Sequence, residues 1–324
     1  MHRRSLVMAG AGLLALPRIG SAQAAWPARG TVRIISASPP GTPQDLYARS
    51  LAEHCSRTLG SVFVVENRTG AAGTIGVAAV ANAAPDGYTF SFNSNTSQTI
   101  APQVMRNVGF DPARSLVPVV LLYKYGMYLM INPQIPAQNT QEFIAWARGQ
   151  NGRVNIASVG LGSGGHLMGE RVKVLGRFAA EPIHYRGSPP ALLAVAQGEC
   201  HYIVDNLGAS EPLRKEGRLR GLALTGRRRN PGAPEIPTLA EDGLPGFDQE
   251  IWFGMSAPAG TPRPIIEVMN AEANTWLKGE AIQARMHGFM HEPMGGSPEA
   301  FAEFAAWDAR IWTEVIKETG VKAE

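Results

Sequence analysis

Residues 158–166, Ser-Val-Gly-Leu-Gly-Ser-Gly-Gly-His, have the composition of an anion cradle. They lie between a predicted strand at 154–159 and a predicted helix at 166–175. Glycines there let main-chain N–H groups at a helix start approach a negative group, with no need for Lys or Arg. Gly160, Gly162 and Gly165 also spell a Gly-x-Gly-x-x-Gly dinucleotide pattern, with Glu181 further on. No second cofactor feature accompanies it, so no cofactor is expected. The expectation is a carboxylate contact by Ser158, Gly162 or Ser163.

Four more groups of residues stand where predicted strands end. Gly41, Thr42 and Asp45 follow the first strand. Pro43 beside them has no N–H and removes one anion donor. Asp45 reads equally as an acid favoured in a first helical turn and as a partner for an amine or hydroxyl on a ligand. Ser94 and Asn95 belong to five small polar residues, 93–97, that suit a hydrogen-bonding cleft edge. Tyr185 and Arg186 end another strand. Arg186 either pairs with a carboxylate or sits in solvent, and His166 either lines the cleft or packs against Tyr185. Asp205 ends the next strand, facing the cleft or serving a turn. Trp252 and Phe253 read as hinge packing.

Catalytic and metal chemistry find little support. Ser163 lies in Gly-Leu-Gly-Ser-Gly, which places the serine wrongly for a nucleophile elbow. The seven His show no metal-ligand spacing, and His291-Glu292 lacks the second His of a zincin helix. Cys55 and Cys200 sit in apolar contexts and read as separate buried thiols.

The elements that position these residues alternate. Strands at 32–35, 62–65 and 88–92 are separated by helices at 44–59 and 74–83. The apolar residues Ala48, Leu51, Ala52, Cys55 and Leu59 fall at helical spacing. A β-like run at 119–131 then suits a crossing between lobes. A second set follows: helices at 140–150, 166–175 and 190–197, and strands at 154–159, 182–185, 202–204 and 221–225. A second candidate crossover lies at 248–257. The C-terminus is helical, with an apolar stripe of Phe301, Phe304, Ala305, Ile311, Trp312 and Val315. This alternation implies βαβ units, a parallel sheet in each of two α/β lobes, and a cleft at the carboxyl ends of the strands.

The first 24 residues read as an export signal. A basic start is followed by a short apolar run and Ala22-Gln23-Ala24. Arg3-Arg4 is compatible with twin-arginine (Tat) export, and Sec export equally so. Removing this segment leaves 27 basic residues against 27 acidic ones, so the formal charge of +3 belongs to the leader. A nucleic-acid partner loses its compositional support.

With these residues in hand, the chain resembles the Bug-type periplasmic solute-binding proteins of tripartite tricarboxylate transporters. The matching stretches are Pro39-Pro40-Gly41 with Asp45, Val65-Glu66-Asn67-Arg68 with Gly70, Gly73-Thr74-Ile75-Gly76, and Pro85-Asp86-Gly87-Tyr88-Thr89. Residues 158–166, Tyr185-Arg186-Gly187-Ser188, residues 237–241, Trp252-Phe253-Gly254 and residues 257–262 complete the series. The family has Gly-Gly-Gly-Thr-Asp after the paired prolines, whereas this chain keeps Gly41 and Asp45 around Thr42, Pro43 and Gln44.

The resemblance implies a two-lobed Venus flytrap fold with two crossover strands. Lobe 1 is expected from residues 25–127 and 247–324, and lobe 2 from 128–246. It implies a periplasmic monomer that captures a small organic carboxylate, does no chemistry on it and delivers it to the permease subunits of a membrane transporter. A ligand-sensing partner of a membrane sensor kinase fits the same fold, and a secreted hydrolase is the enzymatic alternative.

Overall fold

The computed structural model describes residues 26–27 and 30–322. The expected leader, 1–24, lies outside the described residues.

In chain order the first lobe opens with β1 (Val32–Ser36), α1 (Pro43–Leu59), β2 (Phe63–Asn67), α2 (Thr74–Ala81), β3 (Thr89–Ser94), α3 (Ala101–Val104) and β4 (Leu116–Tyr125). The chain then crosses to β5 (Tyr128–Ile131), α4 (Thr140–Gly149), β6 (Asn155–Ser158), α5 (Gly164–Gly176), β7 (Glu181–His184), α6 (Ser188–Gln197), β8 (Tyr202–Asp205), α7 (Leu207–Lys215) and β9 (Arg220–Leu224). It returns through β10 (Ile251–Pro258) and ends with α8 (Arg263–Leu277), α9 (Glu280–Gly288), β11 (Glu292–Pro293) and α10 (Pro298–Thr319).

The local sequence accounts for these elements. Helix α1 starts at Pro43, whose fixed φ suits a first turn, and stops at Gly60 in the left-handed conformation. Its Tyr47, Ala48, Leu51, Ala52 and Cys55 are buried against the sheet. Each such side chain, once buried, contributes roughly 1–3 kcal/mol. Helices α5 and α10 are capped by Ser163 and Ser297, whose side chains accept from amides in the first turn.

Each lobe holds one sheet. The first has strand order β11-β4-β10-β3-β1-β2 and the second β7-β6-β8-β5-β9. Both are mixed: the expected parallel pairing of the βαβ units is joined by antiparallel strands. The pairs β1–β2, β1–β3, β6–β7 and β6–β8 are parallel. The strands that carry the chain between lobes, β4, β5, β9 and β10, meet their neighbours antiparallel. A chain that leaves one sheet at its cleft edge must re-enter it from that edge, and so runs opposite to the strands it joins.

The long apolar run at 119–131 is two strands broken at Gly126 and Met127. The break is where the two crossovers touch. Thr225 N donates to Met127 O at 2.7 Å, and Met127 N donates to Thr225 Oγ1 at 2.9 Å. A Cβ on Gly126 would lie 2.2 Å from Thr225 O, closer than a side chain tolerates, so the crossing needs glycine here.

Helix α10 bridges the lobes. Its Phe301 packs edge-on against Trp252 of β10. Further along, Glu318 pairs with Arg171 of α5 at 3.1 Å. Trp252 thus packs under α10, and its Nε1 donates to Asp308 Oδ2 at 2.6 Å. Cys55 and Cys200 are both buried and free.

Candidate ligand-binding site between the lobes

Strand polarity sets the site. In lobe 1, β1, β2 and β3 end at Ser36, Asn67 and Ser94, and the antiparallel register sets Phe253 of β10 beside Ser94. In lobe 2, β7, β6 and β8 end at His184, Ser158 and Asp205. Tyr128 of β5 lies opposite Asp205. These are the carboxyl edges at which open α/β sheets receive ligands.

The lobe 1 loop is internally saturated. Thr42 Oγ1 caps α1, accepting from Asp45 N at 3.4 Å, and donates to Pro39 O at 2.9 Å. Ser38 Oγ lies 2.9 Å from the same hydroxyl. Asp45, only 2% exposed, uses both oxygens. Oδ2 accepts from Gly41 N at 2.9 Å and Arg49 Nε at 3.1 Å, while Oδ1 accepts from Asn67 Nδ2 at 2.7 Å and pairs with Arg49 Nη2 at 3.0 Å. Burial pushes its carboxyl up, but these donors outweigh it and hold it below the usual range.

The next turn along this edge is also engaged. Ser97 Oγ bridges Ser94, accepting from its N at 3.2 Å and donating to its O at 3.0 Å. Asn95 Nδ2 donates to Glu250 O at 3.0 Å and to Asp308 Oδ2 at 3.3 Å. Its Oδ1 is buried with no partner among the described residues.

On the lobe 2 edge, Ser163 Oγ accepts from His166 N at 3.2 Å, and Gly162 N donates to His166 Nδ1 at 3.3 Å. Burial, reinforced by His184 and Lys173, lowers the His166 pKa to about 4. The ring is therefore neutral at pH 7, with Nδ1 as acceptor and Nε2 carrying the proton. Its aromatic neighbour is His184, 4.8 Å away and perpendicular, rather than the expected Tyr185. Tyr185 instead directs its hydroxyl at Cys200 Sγ, 3.5 Å away. Ser158 Oγ lies 3.0 Å from His184 Nδ1. Arg186 is exposed. The Gly-x-Gly-x-x-Gly pattern has a packing cause: a Cβ on Gly165 would meet Val204 O at 2.4 Å, so the third glycine lets α5 press against β8. The first-turn amides of Gly164 and Gly165 have no acceptor within the helix, and Gly164 lies close to Ile251 and Thr96 of the other lobe.

Asp205 differs from Asp45. It is 3% exposed, and Oδ1 accepts from Asn206 N at 2.8 Å, but Oδ2 has no partner among the described residues. Burial raises its carboxyl to about 6, against the opposing pull of the Asn206 amide and the Ser188 side chain.

Asn206 begins a chain of contacts between the lobes. Its Oδ1 accepts from Gly208 N at 2.7 Å, which fixes Nδ2 as the donor toward His291 Nε2 at 3.2 Å. Burial lowers the His291 pKa to about 3, so the ring is neutral. Nδ1 then carries the proton toward Tyr47 Oη at 3.1 Å. Tyr123, Tyr125 and Phe253 stack beside this histidine. This group escaped the sequence reading. Tyr123 and Tyr125 share a strand face by their period of two, but nothing in the sequence ties His291 to Tyr47.

A cavity of about 630 Å³ opens beside the first crossover, lined from both lobes. Lys124, Tyr125, Arg227, Arg228, Glu250 and His291 are among its lining residues, and none of the expected site residues is. The basic side chains are paired: Lys124 with Glu250, Arg227 with Asp248, and Arg228 with Glu292. Among the described residues no group of His, Cys, Asp and Glu is arranged to hold a metal ion.

Comparison with known proteins agrees with this fold. A family model described as the tripartite tricarboxylate transporter family receptor matches residues 47–321. The chain belongs to that family. Protein BugT of Bordetella pertussis is 32% identical over 298 residues, covering 92% of this chain and 91% of that one. A solved R. palustris protein with adipate superposes with a TM-score of 0.83 at 32% identity, covering 92% of this chain and 99% of its own. The periplasmic binding protein BugD gives a TM-score of 0.79 at 30% identity, with coverages of 91% and 99%. MatC from Rhodopseudomonas palustris, with bound malate, gives 0.78 at 28%, with coverages of 88% and 98%. As a family receptor, the chain is a two-lobed extracytoplasmic solute-binding protein.

Proposed function

We propose that this receptor captures a small organic carboxylate between residues 25–127 with 247–324 on one side and 128–246 on the other. One observation carries the reading: the α5 start, with two amides free of helix acceptors and a capping serine, lies beside Val104 and Ile251 of the other lobe. The proposed contacts are Ser158, Gly162, Ser163, His166, Tyr185, Arg186 and Asp205 from lobe 2, with Gly41, Thr42, Asp45, Ser94 and Asn95 from lobe 1. The carboxylates bound by the R. palustris relatives support the ligand class. Ligand is released unchanged, in keeping with membership of a family of transport receptors.

Closure follows from differential contact: only the closed form joins both edges to the ligand, so ligand shifts the population toward it. The closed monomer then docks on the permease subunits of a tripartite tricarboxylate transporter. We place it in the periplasm, reached by Tat or Sec export. Thermal unfolding against mono-, di- and tricarboxylates, aromatic acids and acidic amino acids tests the reading, because a bound ligand raises apparent stability by mass action. A rise with at least one acid is expected. A flat response to every acid, with sugars or neutral amino acids responding instead, defeats it.

A further inference from the structure

Asp205 is an anomaly on the lobe 2 edge. A carboxylate 97% removed from solvent normally fills its acceptor sites, and this one leaves Oδ2 without a partner among the described residues. From the neighbouring helix the Ser188 side chain acts on Asp205, yet it makes no hydrogen bond to Oδ2. Asp205 lies on the same face of β8 as Ile203, which packs with Ala191 and Leu192 of α6. That helix begins Ser188-Pro189-Pro190, and its two prolines have no N–H to give. The Asn206 amide is already used on Oδ1.

Position ties this vacancy to the cleft. Strands β6 and β8 are paired neighbours, so Asp205 stands one strand, about 5 Å, from Ser158 and the loop that leads to α5. Tyr128 at the start of β5, directly after the first crossover, lies opposite it. The next residue, Asn206, touches the other lobe through His291. A bare second carboxylate brought to this edge would face a buried acid with nothing between them.

Resting on the carboxylate-binding reading, we propose that Asp205 selects, among small acids, those that also carry a hydrogen-bond donor, an ammonium or a hydroxyl, which fills the open site on Oδ2. The acid group of such a ligand sits at the first turn of α5, and its donor meets Asp205 one strand away. A positively charged or polar donor offsets the buried charge, whereas an unsubstituted acid leaves it uncompensated.

Titration calorimetry on the full mature chain with matched acids tests this: succinate, malate and aspartate at one chain length, glutarate and glutamate at another. Within at least one set, the substituted acid is expected to bind tenfold or more tightly than the unsubstituted one. In Asp205→Asn that ratio is expected to fall below threefold, chiefly by loss of the substituted acid's affinity. Equal affinities within both sets, or an unchanged ratio in the variant, overturn this inference while leaving carboxylate capture standing. Binding by none of these five acids overturns this inference, while carboxylate capture falls only with the wider panel of acids. If the variant does not fold, the wild-type ratio alone decides.

Discussion

Asp45 and Asp205 hold nearly equivalent places in opposite lobes. Each stands at a strand-to-helix junction on the cleft edge, and their exposures are 2% and 3%. Yet Asp45 is held below the usual carboxylate range and Asp205 is raised to about 6. The difference lies in donors. Asp45 draws on a main-chain amide, an asparagine and an arginine, whereas Asp205 has one amide at hydrogen-bond distance and an unfilled oxygen. Burial alone does not fix the charge state of a carboxylate; the donors that reach it do.

The largest expected effect comes from removing the saturated acid. Asp45→Ala strands the Gly41 amide and Asn67 and releases Arg49, and is expected to cost about 2–3 kcal/mol in urea unfolding. Half-exposure of Arg49 keeps the figure at the lower end, since water can take its place. A loss under half of that would break the contrast on the Asp45 side.

Asp205→Asn is expected to act with the opposite sign. The Asp205 pKa rises from 3.8 in the unfolded chain to about 6 in the folded one. Its protonation therefore stabilises the fold fully below pH 3.8, and that stability is lost as pH rises through about 6. Above that, the wild type carries a poorly paired buried charge. The variant is expected to be more stable than wild type by roughly 2 kcal/mol at pH 8, with the gain vanishing near pH 4. Melts followed by circular dichroism across this range check it. Asp308, raised to about 7 by burial beside Trp252 and Asn95, gives a slope of the same sign in both proteins, so the difference between them isolates Asp205. Asp45 slopes the other way: its contribution is present above the unfolded pKa and lost as pH falls through the depressed folded one.

Smaller effects sharpen the comparison. Ser163→Ala removes the α5 cap and is expected to cost about 1 kcal/mol. It should also weaken the best acid of the panel severalfold by calorimetry, whereas a cap without a ligand role would leave that affinity intact. Tyr47→Phe ends the Asn206–His291–Tyr47 chain and is expected to cost about 0.5–1 kcal/mol in urea unfolding. An equal loss in Asn206→Ala, with no further loss in the double variant, would show that the two act as one unit.

Much of this architecture was legible in the residues. Period-two apolar runs, helical stripes and proline or glycine stops placed most strands and helices, because those signals are local. The Asp45–Arg49 spacing was equally readable as neighbours on one helix face. The partner that completes Asp45, Asn67, sits 22 residues away on another strand. His291 meets Tyr47 across 244 residues. Asp308 is buried on the face of α10 that the apolar stripe marks, yet a charged residue gives no such signal to an apolar count. Contacts of this range, and the absence of contact at Asp205 Oδ2, exist only once the chain is folded.

The crossing at Gly126 has a mechanical consequence. Two linkers that merely ran side by side would let the lobes slide and roll independently. Two that are bonded to one another, with no side chain between them, act as a rivet. Such a crossing opposes the sliding of one linker past the other, which leaves swinging about that point as the easier motion.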